Sequence, residues 1–152
     1  MKAPALVLSL LAATGCLGAI DELDPEVGPP RVERCDDADS DPGRDVSYAR
    51  DIAPLFTRAV AGCGCHLPTD PAPIGVAEAG LDLSSRAALL RGGARSGAAV
   101  VRPGKPCDSL LVQKLAEGPP VGSRMPFDGP PYLEAAELQL ISDWIAEGAL
   151  DD

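Results

Sequence analysis

Proline and glycine interrupt this chain so often that its regular elements have to be short. Sixteen residues of each type occur among 152, together about a fifth of the chain. Proline lacks the backbone N–H that a helix interior needs, and both residues favour turns. Hydrophobic residues make up 45% of the chain but aromatic residues only 3%, so the core has to be small and aliphatic. The sequence therefore predicts a loop-rich protein with short helices joined by turns.

Apolar residues recur at helical spacing in four stretches of the chain. Ser47 is a suitable N-cap for the first stretch, and Pro54 either kinks that helix or lies in the first turn of a shorter one. Residues 67–80 hold three prolines and two glycines and are expected to form only a loop. The fold class that follows is all-α, with long loops, in a domain over residues 46–152. About four short helices are expected, near residues 48–60, 86–90, 108–115 and 134–147.

Residues 1–15 have the organisation of a targeting segment. Lys2 supplies a positive charge, residues 5–13 form an apolar run, and small residues precede Cys16. The apolar run is too short to cross a bilayer. The arrangement resembles a bacterial lipoprotein signal, which implies cleavage before Cys16 and a lipid on its thiol, although Ala13 replaces the usual leucine. An ordinary secretory signal is the alternative. We expect a lipid-anchored protein of the cell envelope, facing the periplasm or the outer surface, or else a secreted one.

Residues 16–45 are expected to form an acidic, proline-rich tether between the lipid and the domain. Ten acidic residues and three arginines lie between residues 21 and 45. Like charges and prolines both extend such a segment, and it has too few apolar side chains to fold alone. The whole chain carries a net charge of −10. This charge argues against nucleic acid as a partner, because binding phosphates requires a basic surface.

The cysteines are interpreted from the oxidising environment that export implies, where free thiols rarely persist. If Cys63 and Cys65 are used locally and Cys16 carries lipid, Cys35 and Cys107 are the only remaining pair. A disulfide between Cys35 and Cys107 is therefore possible, and it would join the tether to the domain.

The candidate functional site is Cys63-Gly64-Cys65-His66, followed far downstream by Met125-Pro126. His66 is the only histidine, and Met125 is the only methionine that remains if the leader is removed. Covalent haem attachment uses Cys-x-x-Cys-His, and this motif is one residue shorter. One position along a helical turn rotates a side chain by about 100°. Cys63 is therefore not expected to reach a haem vinyl group as readily as Cys65.

The order of these features resembles the planctomycete-type cytochrome c domain, a member of the class I cytochrome c fold. The resemblance covers residues 46–149. It rests on short stretches in a shared order: residues 48–55, 80–85, 91–93 with Gly97, 101–104, 109–115, 125–126 and 144–149.

The resemblance implies an electron carrier with one haem c and no enzymatic activity. His66 and Met125 would be the axial iron ligands, and Cys65, with Cys63 as an uncertain second cysteine, would attach the haem covalently. Trp144 would line the haem pocket or pack behind it as an ordinary core residue. Redox partner proteins are implied, but the sequence does not identify them.

The shortened motif leaves alternatives to a haem. The protein could be a haem-free envelope lipoprotein that keeps the fold as a binding or spacer module, with Cys63 and Cys65 joined in a local disulfide. Cys63, Cys65, His66 and Met125 could also bind copper or zinc, because thiolate, imidazole and thioether form a soft ligand set.

Overall fold

The computed structural model describes residues 35–151, and every regular element in that range is helical. This confirms the predicted all-α class of short helices and long loops. The signal segment, Cys16 and residues 17–34 lie outside the described residues. The five α-helices are α1 (Ala53–Thr57), α2 (Ile74–Ala79), α3 (Arg86–Arg91), α4 (Leu110–Leu115) and α5 (Ala135–Ala146).

The first helical segment is divided at Pro54. The Ser47 hydroxyl accepts a hydrogen bond from the Arg50 N–H and so caps a π-helical turn over Tyr48–Ile52. Helix α1 continues directly from this turn and carries Pro54 in its first turn. Proline is accepted there because the first N–H groups of a helix have no partner inside the helix. Of the two predicted arrangements, the structure therefore has the shorter helix with Pro54 in its first turn.

Helix α2 corrects the prediction of a loop over residues 67–80. The prolines of this segment all precede the helix, and Pro73 occupies its N-cap position. Gly80 ends the helix in a left-handed conformation, with a φ of 63°. These residues delimit a helix of six residues, too short to show a clear apolar period in the sequence. Three 3₁₀ turns complete the regular structure, over Asp37–Asp39, Gly64–His66 and Gly97–Ala99.

Helix α5 supplies much of the hydrophobic core. Its start is fixed by a capping box in which Glu134 and Glu137 each accept from the other's backbone N–H. It contacts the Tyr48–Ile52 turn and α4. The core around it consists mainly of aliphatic residues, as expected: Val46, Ile52, Leu83, Leu89, Val101, Val112, Leu115, Ile141 and Ile145, with Phe56, Tyr48 and Trp144.

Residues 35–45, the described part of the expected tether, contact the helical domain. Cys35 and Cys107 form a disulfide with an S–S distance of 1.94 Å. Buried Asp143 on α5 accepts hydrogen bonds from the Asp41 N–H at 2.8 Å and from Arg44 Nη1 at 2.7 Å. This part of the segment is thus held against the domain instead of extending from it, while the domain boundaries themselves stay predictions.

Candidate functional site

His66 is buried and is held through both its side chain and its backbone. It ends the 3₁₀ turn Gly64–His66. Its Nδ1 lies 3.2 Å from the carbonyl oxygen of Leu81, and its own carbonyl accepts the N–H of Leu83 at 2.9 Å. A carbonyl oxygen can only accept, so Nδ1 carries the ring proton in this contact. Nε2 then keeps its lone pair, which is the tautomer of a histidine prepared to bind a metal.

Helix α2 packs its backbone directly against the imidazole ring at Gly75. A Cβ atom at this position would lie 2.7 Å from Cε1 and Nδ1 of His66, so only glycine permits this approach. Burial lowers the pKa of His66, and the ammonium group of Lys114 lowers it further. The ring is therefore neutral at neutral pH, as metal binding requires.

The two cysteines of the motif face different surroundings. Cys63 is 5% exposed and belongs to the core cluster, and burial raises the pKa of its thiol to about 12. Cys65 is partly exposed and lines a cleft of about 500 Å³. This volume is typical of cofactor sites, which span about 300–1,000 Å³. The large apolar side chains that line the cleft are Leu67, Ile74 and Phe127.

The position before Cys63 has no room for a side chain. Gly62 is where the usual motif spacing would put the first cysteine. A Cβ atom there would lie 2.0 Å from the carbonyl oxygen of Arg58. The N–H of Cys63 bonds the carbonyl of Phe56 at 2.8 Å, which closes the chain back onto α1. The shortened motif thus coincides with a tight turn that excludes a cysteine at the usual position.

Met125 and His66 share Lys114 as a neighbour. The side chain of Met125 packs against the core cluster, and its N–H bonds the carbonyl of Lys114 at 2.8 Å. The Lys114 ammonium bonds the carbonyls of Val121 and Ser123 and acts electrostatically on His66. Lys114 is thus linked to both predicted axial ligands, to Met125 by a hydrogen bond and to His66 by its charge. Neither of them lines the cleft beside Cys65, so the predicted site residues do not all surround one cavity.

Trp144 has the contacts of a core residue. It is fully buried, its Nε1 donates to the carbonyl of Leu150 at 3.0 Å, and its ring centroid lies 5.4 Å from that of Tyr48. These contacts correspond to the core packing that was the alternative to pocket lining. Contact between Trp144 and a cofactor stays a prediction.

Two of the alternatives to a haem involve the thiols, namely the local disulfide and a copper or zinc site. Cys63 and Cys65 are both free, so the local disulfide is not formed. Within residues 35–151, no three His, Cys, Asp or Glu side chains converge as a metal site would require. Burial also raises the pKa of Cys65, with further contributions from nearby carboxylates. Both thiols are therefore protonated at neutral pH as long as no metal binds them.

Sequence reasoning missed three residues that act on the predicted ligands: Gly75, Leu81 and Lys114. Gly75 lay in a segment expected to be a loop. Leu81 acts through its carbonyl, which every residue type possesses. The lysine reaches its partners only because the following loop folds back over α4. A glycine within a helix usually has a packing reason, but that signal was not available here because the segment was predicted to be a loop.

A comparison with known families supports the resemblance that the sequence predicted. The family described as planctomycete cytochrome C matches residues 63–128, from the first cysteine of the motif to just beyond Met125. The match confirms the resemblance over this region, which is narrower than residues 46–149. It indicates a cytochrome-like role, typical of an electron carrier. No curated protein and no solved structure matches the chain. Among residues 35–151, no helix has the length and apolar character needed to cross a membrane.

The residues present fit the haem that this family implies. The buried imidazole of His66 has a fixed Nδ1 proton and an available Nε2. Met125 supplies a thioether, which needs no deprotonation to bind iron. Cys65 supplies an accessible thiol next to the histidine.

Proposed function

We propose that this protein is an exported, cytochrome c-like electron carrier with one covalently attached haem, held by His66 and Met125. The observation that carries the proposal is the hydrogen bond from His66 Nδ1 to the Leu81 carbonyl. That bond orients the ring, assigns the proton and leaves Nε2 as the coordinating nitrogen. With His66 and Met125 as ligands, a haem would supply one-electron transfer, and imidazole–thioether ligation would raise its reduction potential.

The chain's own residues orient and shield this site. Gly75 lets α2 cover the ring of His66, which limits its exposure to water. Burial, with a smaller contribution from the charge of Lys114, lowers the pKa of His66 and so favours the neutral imidazole. The hydrogen bond from the Met125 N–H to the Lys114 carbonyl fixes the backbone position from which the thioether side chain extends. Each of these features prepares a ligand before a cofactor arrives, which lowers the ordering cost of binding.

We assign the covalent attachment to Cys65 alone. Cys65 adjoins His66 and lines the cleft, whereas the thiol of Cys63 is buried in the core cluster. The backbone contact at Gly62 supports this assignment, because the turn leaves no room for a side chain at the usual position of the first cysteine. Cys63 then serves as a small apolar core residue.

Expression of the full chain with its leader, beside a working haem-attachment system, tests the proposal. We expect a red protein with a Soret band and a haem that remains bound in denaturing electrophoresis. A colourless product from cells in which a control cytochrome c matures normally would contradict the function.

Two matched variants test the assignment of the attachment. Cys65→Ala should lose the covalent haem, whereas Cys63→Ala should keep it, because alanine also suits a buried apolar position. The spectrum of the pyridine complex of the haem distinguishes one thioether from two. Two thioethers in the wild-type protein would show that Cys63 takes part and that the turn rearranges.

We also propose that the chain is anchored in the cell envelope by a lipid on Cys16. The support is the leader pattern in the sequence. Cells labelled with a radioactive fatty acid should incorporate label into the wild-type protein but not into Cys16→Ser. Equal labelling of both would rule out this anchor, and an unlabelled, exported wild-type protein would indicate an ordinary secretory signal.

A further inference from the structure

The loop that carries Met125 is fastened to the C-terminal end of α4. The last carbonyl groups of a helix lack partners within the helix. Here the Lys114 carbonyl accepts the Met125 N–H at 2.8 Å, and the Leu115 carbonyl accepts Arg124 Nε at 2.9 Å. Two consecutive residues of the loop thus satisfy two consecutive carbonyls of the helix end.

The side chain of Lys114 fastens the same loop at a second level. Its Nζ donates to the Val121 carbonyl at 2.7 Å and to the Ser123 carbonyl. The segment from Val121 to Met125 is therefore bound by both the backbone and the side chain of one residue. Hydrogen bonds from a charged donor are roughly twice as strong as those between neutral groups.

Lys114 is partly buried, and burial lowers its pKa. Every ion pair among residues 35–151 is made by an arginine or by another lysine. No carboxylate there pairs with the ammonium group of Lys114. Its charge is instead met by backbone carbonyls of the loop. A lysine at this position does not serve surface solubility, since its donors point to the chain itself.

We infer that Lys114 is a positioning residue for Met125, which holds the loop over residues 121–125 so that the thioether is presented to the haem iron. The inference rests on the proposed function and deepens it. Without the side chain, the loop keeps its contacts to the end of α4 and the packing of Met125 against the core, but the carbonyls of Val121 and Ser123 lose their donor. The loop then samples more positions, and coordination of iron by the sulfur would have to offset the entropy of the freed segment.

The test uses the haem-loaded full chain and compares Lys114→Met with the wild-type protein. Methionine keeps an unbranched apolar stem but removes all three donors. We expect loss of most of the weak near-infrared absorption band that marks a thioether bound to ferric haem. The reduction potential should fall toward that of Met125→Ala. Lys114→Arg, which keeps the donors, should restore both signals at least in part.

The matched control is Lys105→Met, which removes an exposed lysine whose Nζ lies 3.6 Å from Asp37. It should leave the band and the potential unchanged. If Lys114→Met binds haem and keeps the wild-type band and potential, the positioning role is wrong and the proposed function stands. If the wild-type protein takes up no haem, the proposed function fails first.

Hydrogen exchange provides a readout that needs no haem. In the unloaded chain, the Met125 amide should exchange about tenfold faster or more in Lys114→Met. The loop opens more easily once the charge-assisted hydrogen bonds from Lys114 Nζ are lost. Lys105→Met should exchange like the wild-type protein. An unchanged Met125 amide in Lys114→Met would show that the side chain does not hold the loop, whatever the haem does.

Discussion

Two faces of this domain differ in the contacts that hold the chain and in the side chains that are exposed. The clamped face comprises residues 35–48 and α5, and the site face comprises residues 57–75 and 121–128. Cys35 on the clamped face forms a disulfide with Cys107. Asp143 on the same face accepts hydrogen bonds from the Asp41 N–H, the Arg44 side chain and the Gln139 side chain. The site face carries exposed large hydrophobic side chains instead, at Val60, Ile74, Val121 and Phe127.

The difference shows where stability and chemistry reside. The contacts that hold residues 35–45 against the domain lie on the clamped face, which contains neither cysteine of the motif and neither predicted axial ligand. The site face keeps apolar surface uncovered next to Cys65, as a protein does where a ligand or a partner has to bind. Changes on the clamped face should therefore affect folding, and changes on the site face should affect function first.

The largest effect is expected from Trp144→Ala. Replacing a fully buried aromatic residue by alanine costs about 3–5 kcal/mol of unfolding free energy. The lost bond to the Leu150 carbonyl adds to the damage. Urea denaturation followed by far-ultraviolet circular dichroism measures the change.

The matched control is Phe127→Ala on the site face, where the ring is 67% exposed. A change within about 0.5 kcal/mol is expected there, as for most surface substitutions. If Phe127→Ala costs as much as Trp144→Ala, the division between the two faces is wrong.

The second effect is expected from removing the disulfide by Cys35→Ser with Cys107→Ser. The two cysteines are 72 residues apart in the sequence. Loss of the cross-link should lower the unfolding free energy by about 2–4 kcal/mol, because the unfolded chain gains freedom. Urea denaturation of the double variant and the wild-type protein measures the loss.

Hydrogen exchange then locates the effect of the disulfide. The Asp41 amide, which donates to Asp143, should lose protection in the double variant. The Met125 amide on the site face should not. Equal loss at both amides would mean that the two faces unfold together and are not independent.

Local signals in the sequence predicted the starts of α3 and α5 near residues 86 and 134, since capping needs only nearby residues, but they missed α2. Ser85 caps α3, and Glu134 with Glu137 caps α5, as such residues do in short segments. The features that define the site depend on distant contacts. The backbone contact at Gly62 and the bonds from Lys114 to the following loop have no local pattern. The ligand types could thus be predicted from the motif, but their supports could not.

The third effect is expected from Asp143→Asn, which keeps the shape but weakens three accepted hydrogen bonds. Burial raises the pKa of Asp143, but the bonds from Arg44, Asp41 and Gln139 outweigh it and lower the pKa below the ordinary value. The loss at neutral pH should be about 1–3 kcal/mol, the usual cost of disturbing a buried polar group.

The pH dependence of this variant follows from the lowered pKa. A carboxyl group with a lowered folded-state pKa stabilises the protein above its unfolded pKa of about 3.9. This contribution is lost as the pH falls through the folded-state pKa. The stability difference between Asp143→Asn and the wild-type protein should therefore shrink in acid. Asp108→Asn, an exposed control, should differ little in stability from the wild-type protein at neutral pH. A difference that stays constant down to the folded-state pKa would contradict the linkage.

The smallest effect, with the opposite sign, is expected from Tyr48→Phe. The Tyr48 hydroxyl is buried without a hydrogen-bond partner among residues 35–151, and burial raises its pKa to about 12. An unsatisfied buried polar group costs about 1–3 kcal/mol. The ring itself packs against Trp144 and would stay in place in the variant. Tyr48→Phe should therefore stabilise the domain, by up to about 1 kcal/mol after the lost contacts of the oxygen are counted. Tyr132→Phe, at a partly exposed ring over Arg124, is the matched control and should change little. A destabilised Tyr48→Phe, measured by its urea midpoint at an unchanged slope, would show that the hydroxyl has a partner and that the clamped face extends beyond these residues.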